Sequence, residues 1–229
     1  MKEIITEAVK RRKKLIEGNT ALIVVDIQGG SVKLREERGV TGLVVEGWLE
    51  MMRESKKLIE ACRRADIPII WFQEFHRKNL VDYGRETDGA EAIHSLEGDP
   101  TNEIIDEVAP HESEYIIRKT RYNCFMGTGL EFWLNGVNVL PGDTLIFCGG
   151  MTNVCVHYSA AEAHQRDYHI RVVEECIAGS SRSAHKAALE QIEYLQTGGR
   201  TKLVDMLEAI REYKPVRSQK LGSFSGFTQ

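Results

Sequence analysis

Apolar and polar positions fall into blocks along this chain. Thr20–Asp26 (TALIVVD), Pro68–Gln73 (PIIWFQ), Tyr115–Lys119 (YIIRK), Thr144–Cys148 (TLIFC) and His169–Glu174 (HIRVVE) are short apolar runs. They lack strict alternation, which is the pattern of strands covered on both faces of a parallel sheet. Between them, apolar residues recur at helical spacing. Helices are predicted over Trp48–Ala65, Gly129–Asn135, Asn153–Arg166 and Ser183–Leu195, with a last one ending at Tyr213. A short strand or turn is predicted near Thr201–Leu203. Repeated strand–helix alternation predicts an α/β fold: three α-β-α layers around a mostly parallel, Rossmann-like sheet of about six strands.

Two regions depart from this rhythm. Met1–Glu17 places Ile4, Ile5, Ala8, Val9 and Leu15 on a charged background, which reads as an amphipathic N-terminal helix within residues 1–18. The stretch Glu74–His111 is rich in Gly, Asp and His and weakly periodic. A loop that long in a compact domain is usually functional, so it is expected to cross the active site, with a short helix near Asn102–Val108. No linker divides the chain, so residues 1–229 are expected to form one domain, with residues 214–229 as a tail.

Composition narrows the function classes. Thirty basic and 34 acidic side chains are interspersed, and the net charge of −4 gives no reason to expect nucleic acid or an anionic membrane as partner. The longest apolar runs are strand-sized, and no signal peptide is recognised. The five cysteines, 62, 124, 148, 155 and 176, are odd in number and lack CxxC spacing. That suits a reducing cytoplasm better than a disulfide framework.

Candidate chemistry lies at strand ends. In TLIFCGGMTNVCVH (residues 144–157) a buried strand breaks at Gly149-Gly150 and leads to Cys155 near the start of a helix. Free N–H groups and the helix dipole favour a thiolate and an oxyanion there. The first strand ends on Asp26 and the third on Lys119. In an open parallel sheet the carboxyl ends of the strands line one crevice, so Asp26, Lys119 and Cys155 are expected to converge. The blander readings are a turn residue, a solvated strand end and a buried thiol.

LIVVDIQ, IIRKTRYNCF and GGMTNVCV, in that order from about Asn19 to Gly199, together resemble the isochorismatase-like cysteine hydrolase superfamily. The resemblance implies a Cys-Asp-Lys amidohydrolase that forms a thioester-type acyl-enzyme and needs no cofactor. It also implies a cis Gly150–Met151 peptide, and an oxyanion held by the N–H groups of Met151 and Cys155. The nicotinamidase branch carries an Asp-x-His metal element. Here the matching stretch is Gln73-Glu74-Phe75-His76, with His94 later, so no metal is expected. Lys119–Phe125 (KTRYNCF) is similar to ureidoacrylate amidohydrolases, and Leu195-Gln196 with Gly198-Gly199 is similar to a biuret hydrolase element. N-carbamoylsarcosine amidase belongs to the same branch.

These similarities imply a small carbamoyl, ureido or amide substrate with water as co-substrate. Gln196, Tyr122, Phe125 and Gln28 are the candidate substrate contacts, and a homodimer or homotetramer is expected. The alternatives are a nicotinamidase-like amidase, an isochorismatase, or a non-catalytic binding protein on the same scaffold.

Overall fold

The computed structural model describes residues 14–30, 32–37 and 47–218. Strands β1 (Thr20–Val25), β2 (Ile69–Glu74), β3 (Tyr115–Lys119), β4 (Thr144–Gly150), β5 (His169–Ala178) and β6 (Arg200–Thr201) form one sheet in the order β3-β2-β1-β4-β5-β6. All five pairings are parallel. The helices are α1 (Val32–Glu37), α2 (Trp48–Arg64), α3 (Leu130–Gly136), α4 (His157–Gln165), α5 (Arg182–Leu195) and α6 (Leu203–Glu212).

Alternation along β1 explains the three layers. Ala21, Ile23 and Val25 face a core built with Leu130, Leu134, Ala160, Ala163, Leu189 and Ile192 of α3, α4 and α5. Leu22 and Val24 face the opposite core, with Met51, Leu58, Ile59 and Cys62 of α2 and Leu203, Met206 and Ile210 of α6. A central strand buried on both faces has no polar side to show, which is why its sequence reads as an unbroken apolar run. On α2 the buried positions 51, 52, 55, 58, 59, 61 and 62 gather on one face, as an amphipathic helix requires. Among the described residues no helix is long and apolar enough to cross a membrane.

Some boundaries differ from the sequence expectation. β5 continues through Ala178 rather than ending at Glu174. The two carboxylates at 174 and 175 are accommodated because Glu174 pairs with Arg200 and Lys202, and Glu175 accepts from the Leu203 amide. The expected N-terminal helix falls mostly outside the described residues, and Lys14–Glu17 is not helical. Of the tail, residues 219–229 lie outside them too. Val216 and Arg217 donate their amides to Asn19 Oδ1, just before β1.

The strand order reverses between β1 and β4, so the crevice beyond their carboxyl ends is the expected ligand position. Two local features shape it. Gly149 adopts φ 110°, and a Cβ there would sit against the Val25 carbonyl oxygen, so only glycine lets β4 approach β1 this closely. Asp26 follows at φ 50°, in the left-handed region that Asp tolerates better than most residues. That turn ends the strand and directs the carboxylate over the crevice.

Candidate active site

Asp26, Lys119 and Cys155 meet. Lys119 Nζ lies 2.8 Å from Asp26 Oδ2 and 3.5 Å from Cys155 Sγ. One oxygen each of Asp26 and Glu74 and the Cys155 sulfur all lie within 4.8 Å of one another. Lys119 starts on the edge strand β3, and its long side chain reaches past the end of β2 to arrive there. It is fully buried, 4.0 Å from Glu74 Oε2.

Burial sets the electrostatics. It raises the Asp26 carboxyl to about 6, with the Lys119 ammonium pulling the other way. Burial likewise pushes the Cys155 thiol well up, again opposed by Lys119. Burial disfavours the Lys119 ammonium, but Asp26, Cys155 and Glu74 outweigh it and hold the group charged. The resting site is therefore a neutral thiol beside a carboxylate–ammonium pair. Asp26 Oδ1 is buried with no hydrogen-bond partner, an acceptor open to a thiol or substrate N–H.

The nucleophile turn also takes shape. The Gly150–Met151 peptide is cis, and Met151 is extended. A wide turn over Thr152–Val156 follows, in which the Val154 and Val156 amides both donate to Met151 O, and α4 continues from it. Cys155 thus sits in the first turns of a helix. Side chains pin this turn from neighbouring elements. Ser159 donates to Cys155 O, Thr152 Oγ1 meets His185 Nδ1 at 2.9 Å, and Asn153 is bonded to Ser180.

A second cluster adjoins the first through Glu74. The long segment after β2 folds back because His76 and Leu96 form a backbone bridge, His76 donating to Ser95 O and Glu97 to His76 O. This brings Tyr83, Glu86, Glu91 and His94 against the end of β2. His76 Nε2 lies 3.4 Å from Glu74 Oε1 and 3.9 Å from Glu86 Oε2. His94 Nε2 lies 3.7 Å from Glu74 Oε2, 3.6 Å from Glu86 Oε1 and 3.8 Å from Glu91 Oε2.

Burial and the neighbouring Glu74 push Glu86 up to about 8. Burial opposes the charged form of His94, but hydrogen bonding to Glu74 and the surrounding carboxylates raise it to about 9. Glu74, His76 and Glu86 offer ligand atoms within 4.8 Å of one another, and Glu86 Oε1 is buried without a hydrogen-bond partner. Two carboxylates and two imidazoles fit a divalent cation. The sequence argument against metal rested on the missing Asp-x-His element. Glu74 supplies that carboxylate one methylene longer, and Glu86 adds another that spacing alone did not single out. The visible signal was the density of acids and histidine in Asp82–His94 (DYGRETDGAEAIH).

The candidate substrate contacts divide. Tyr122 is half-buried at the pocket, its phenol pushed up by burial and by Glu86, Glu91 and Glu74, and its ring lies parallel to Tyr158. Phe125 belongs instead to the hydrophobic core, packed near Tyr168 with Arg166 over its ring. Gln28 is corrected to a structural clasp. Its Oε1 accepts from the Glu74 amide, and its Nε2 donates to the carbonyls of Glu74 and Asn102.

Gln196 is corrected as well. Its Oε1 accepts from the Ile170 amide and from Arg171, and its amide nitrogen meets His169 Nδ1. His169 pairs with Thr144 at the start of β4, the opposite end of the sheet from Gly150 and Cys155. Gln196 directly follows the helix end at Leu195, and that end lies at the amino side of β5, away from the crevice. Gln196→Ala is expected to leave kcat/KM unchanged. It should lower stability by about 1–3 kcal/mol, because the Ile170 amide and the buried Arg171 lose an acceptor. Urea unfolding alongside steady-state kinetics checks this, and a selective loss of kcat/KM would return Gln196 to the site.

Comparison with known proteins places the fold and the family. Residues 20–202 match the model of the isochorismatase domain. Ureidoacrylate amidohydrolase RutB of Methylobacterium radiotolerans is 27% identical over 191 residues, covering 76% of this chain and 73% of that protein. A cysteine hydrolase from Pseudomonas syringae pv. phaseolicola superposes with a TM-score of 0.72 at 25% identity, covering 85% of this chain and 93% of that one. N-carbamoylsarcosine amidase from Thermoplasma acidophilum gives 0.64 at 28%, covering 80% and 95%.

Proposed function

The chain belongs to the isochorismatase domain family of hydrolases, and from that premise we propose that it is a cysteine-dependent amidohydrolase of small carbamoyl, ureido or amide compounds. The observation that carries this reading is the buried contact of Lys119 with both Asp26 and Cys155. Two of the similar proteins, named for ureidoacrylate and N-carbamoylsarcosine, carry a ureido or N-carbamoyl group in their substrate names, which favours that class here.

The chemistry follows from the charges. As Cys155 Sγ attacks the substrate carbonyl, its proton passes to Asp26, whose carboxyl near 6 is ionised at neutral pH yet basic enough to accept it. Lys119 stabilises the developing thiolate and holds Asp26 in place. The carbonyl oxygen becomes an oxyanion facing the N–H groups of Met151 and Cys155. Collapse breaks the C–N bond, the leaving nitrogen takes the proton back from Asp26, and an acyl thioester remains. Water then attacks the thioester with Asp26 again accepting a proton, and the thiol is restored. Glu74, held ionised chiefly by Lys119 against its burial, adjoins the reacting sulfur as an acceptor for substrate N–H.

A second reading, a cation-assisted amidase of nicotinamidase type, is favoured by the donor set. Glu74, His76, Glu86 and His94 would hold a divalent cation, which when bound supplies positive charge beside the pocket.

Incubation with a panel of ureido compounds, N-carbamoyl amino acids and simple amides tests the proposal. Release of ammonia or an amine, with an acyl mass increment on Cys155 after acid quench, is expected for ureido members. No turnover across the panel, with Cys155 unmodified, would overturn the ureido-amidohydrolase reading.

A further inference from the structure

Tyr83 is the residue that the proposed reaction leaves without a task, although it is 2% exposed and lies beside the acid–imidazole cluster. Its ring packs on His76, with centroids 4.3 Å apart. Its hydroxyl accepts from the His94 backbone N–H at 3.0 Å and lies 3.1 Å from His94 Nδ1. The Ala92 carbonyl lies 2.8 Å from the same Nδ1. A carbonyl can only accept, so Nδ1 carries a proton. In the neutral imidazole the lone pair is then on Nε2, which faces Glu74, Glu86 and Glu91. Exposed loop imidazoles rotate freely; this one is fixed at its backbone and at one ring nitrogen.

We propose that Tyr83 is a positioning residue for a divalent-cation site made by Glu74, His76, Glu86 and His94. It holds the His94 backbone and ring so that Nε2 points at the carboxylates, while its own ring supports His76 from the side. A hydroxyl or carbonyl partner on the outer ring nitrogen fixes the tautomer and orientation of a ligating histidine, and loss of such a partner typically weakens metal binding by about 10–100-fold. His76 has no such anchor: Asp82 Oδ1, held by the Arg77 amide, stays 3.7 Å from its Nδ1, which is buried without a hydrogen-bond partner. The Tyr83 hydroxyl acts through His94, and its ring packs on His76.

The inference rests on the reading of this pocket as the working site only through Glu74, and its test is scored by binding, without turnover. Metal-free full-length protein is titrated with Co²⁺ and followed by the visible d–d bands, for the wild type, Tyr83→Phe, His94→Ala and the double variant. Tyr83→Phe keeps the ring packing and removes the hydroxyl. The expected result is wild-type binding with bands of a nitrogen–oxygen site and Kd raised about tenfold or more in Tyr83→Phe. In the His94→Ala background the second substitution should add nothing, since a residue acting through His94 has nothing left to position. A general structural effect would weaken both backgrounds equally. Absence of Co²⁺ binding by the wild type, an unchanged Kd in Tyr83→Phe, or equal losses in both backgrounds would each overturn the proposal. Inactivity of the protein toward ureides with these binding results intact would overturn only the proposed reaction.

Discussion

Cys155→Ser is expected to lower kcat/KM on the best ureido substrate on the order of a thousandfold or more, about 4 kcal/mol of transition-state stabilisation. The thiol is 5% exposed, and its sulfur faces Lys119 and Asp26. A serine hydroxyl fits the same space and keeps a polar partner in Lys119, so the fold should hold. Its proton is far harder to remove than that of a thiol, and a carboxylate near 6 cannot do so at a useful rate. Substrate affinity should survive, because none of the binding groups changes. Calorimetric titration of the variant with substrate, beside single-turnover kinetics, checks both halves. Retention of a substantial part of the wild-type rate would remove Cys155 as the nucleophile.

Lys119→Met should damage both activity and stability. The ammonium lies 2.8 Å from Asp26 and 4.0 Å from Glu74 in a fully buried position. Without it the buried Asp26 carboxylate loses its ion-pair partner, and breaking a buried pair from one side typically costs about 3–5 kcal/mol. Methionine fills much the same volume, which separates the charge effect from a cavity. Asp26 also loses the cation that opposes its burial, so its carboxyl rises further and less of it is ionised at neutral pH. The fall in kcat is expected to exceed a hundredfold, roughly 2.7 kcal/mol. Iodoacetamide should alkylate Cys155 more slowly, because the thiolate loses its counter-charge. Urea midpoints, kcat and alkylation rates measured together decide the matter. An unchanged alkylation rate would mean that Lys119 does not act on the sulfur.

The fold was legible for a simple reason. A strand buried on both faces must be apolar at every position, so β1 and β4 announce themselves without alternation, and helices covering them must carry a stripe. The strand ends were legible because a charged residue closing such a run, as Asp26 and Lys119 do, has few structural explanations. Side chains drawn from similarity to biuret hydrolases or from proximity in sequence fared differently. Gln196 falls one residue past α5, where the helix axis carries it to the amino end of β5. Gln28 lies only two residues from Asp26, yet the turn sends it to the main chain of β2. Which way a side chain points after a helix end or a left-handed turn depends on backbone geometry that periodicity does not encode.

The sequence by itself determined the layer order of this protein, the parallel sheet, the strand ends that carry Asp26 and Lys119, and the turn after β4 that leads to Cys155. Those rest on local rules, burial and the alternation of elements, that each segment carries within itself. Only the tertiary structure decided that Glu86 and His94 return to the end of β2 beside Glu74 and His76, and that Tyr83 holds them there. Their convergence depends on the backbone bridge between His76 and Leu96, a contact across nineteen intervening residues of weakly patterned chain, and no periodicity in that chain specifies it.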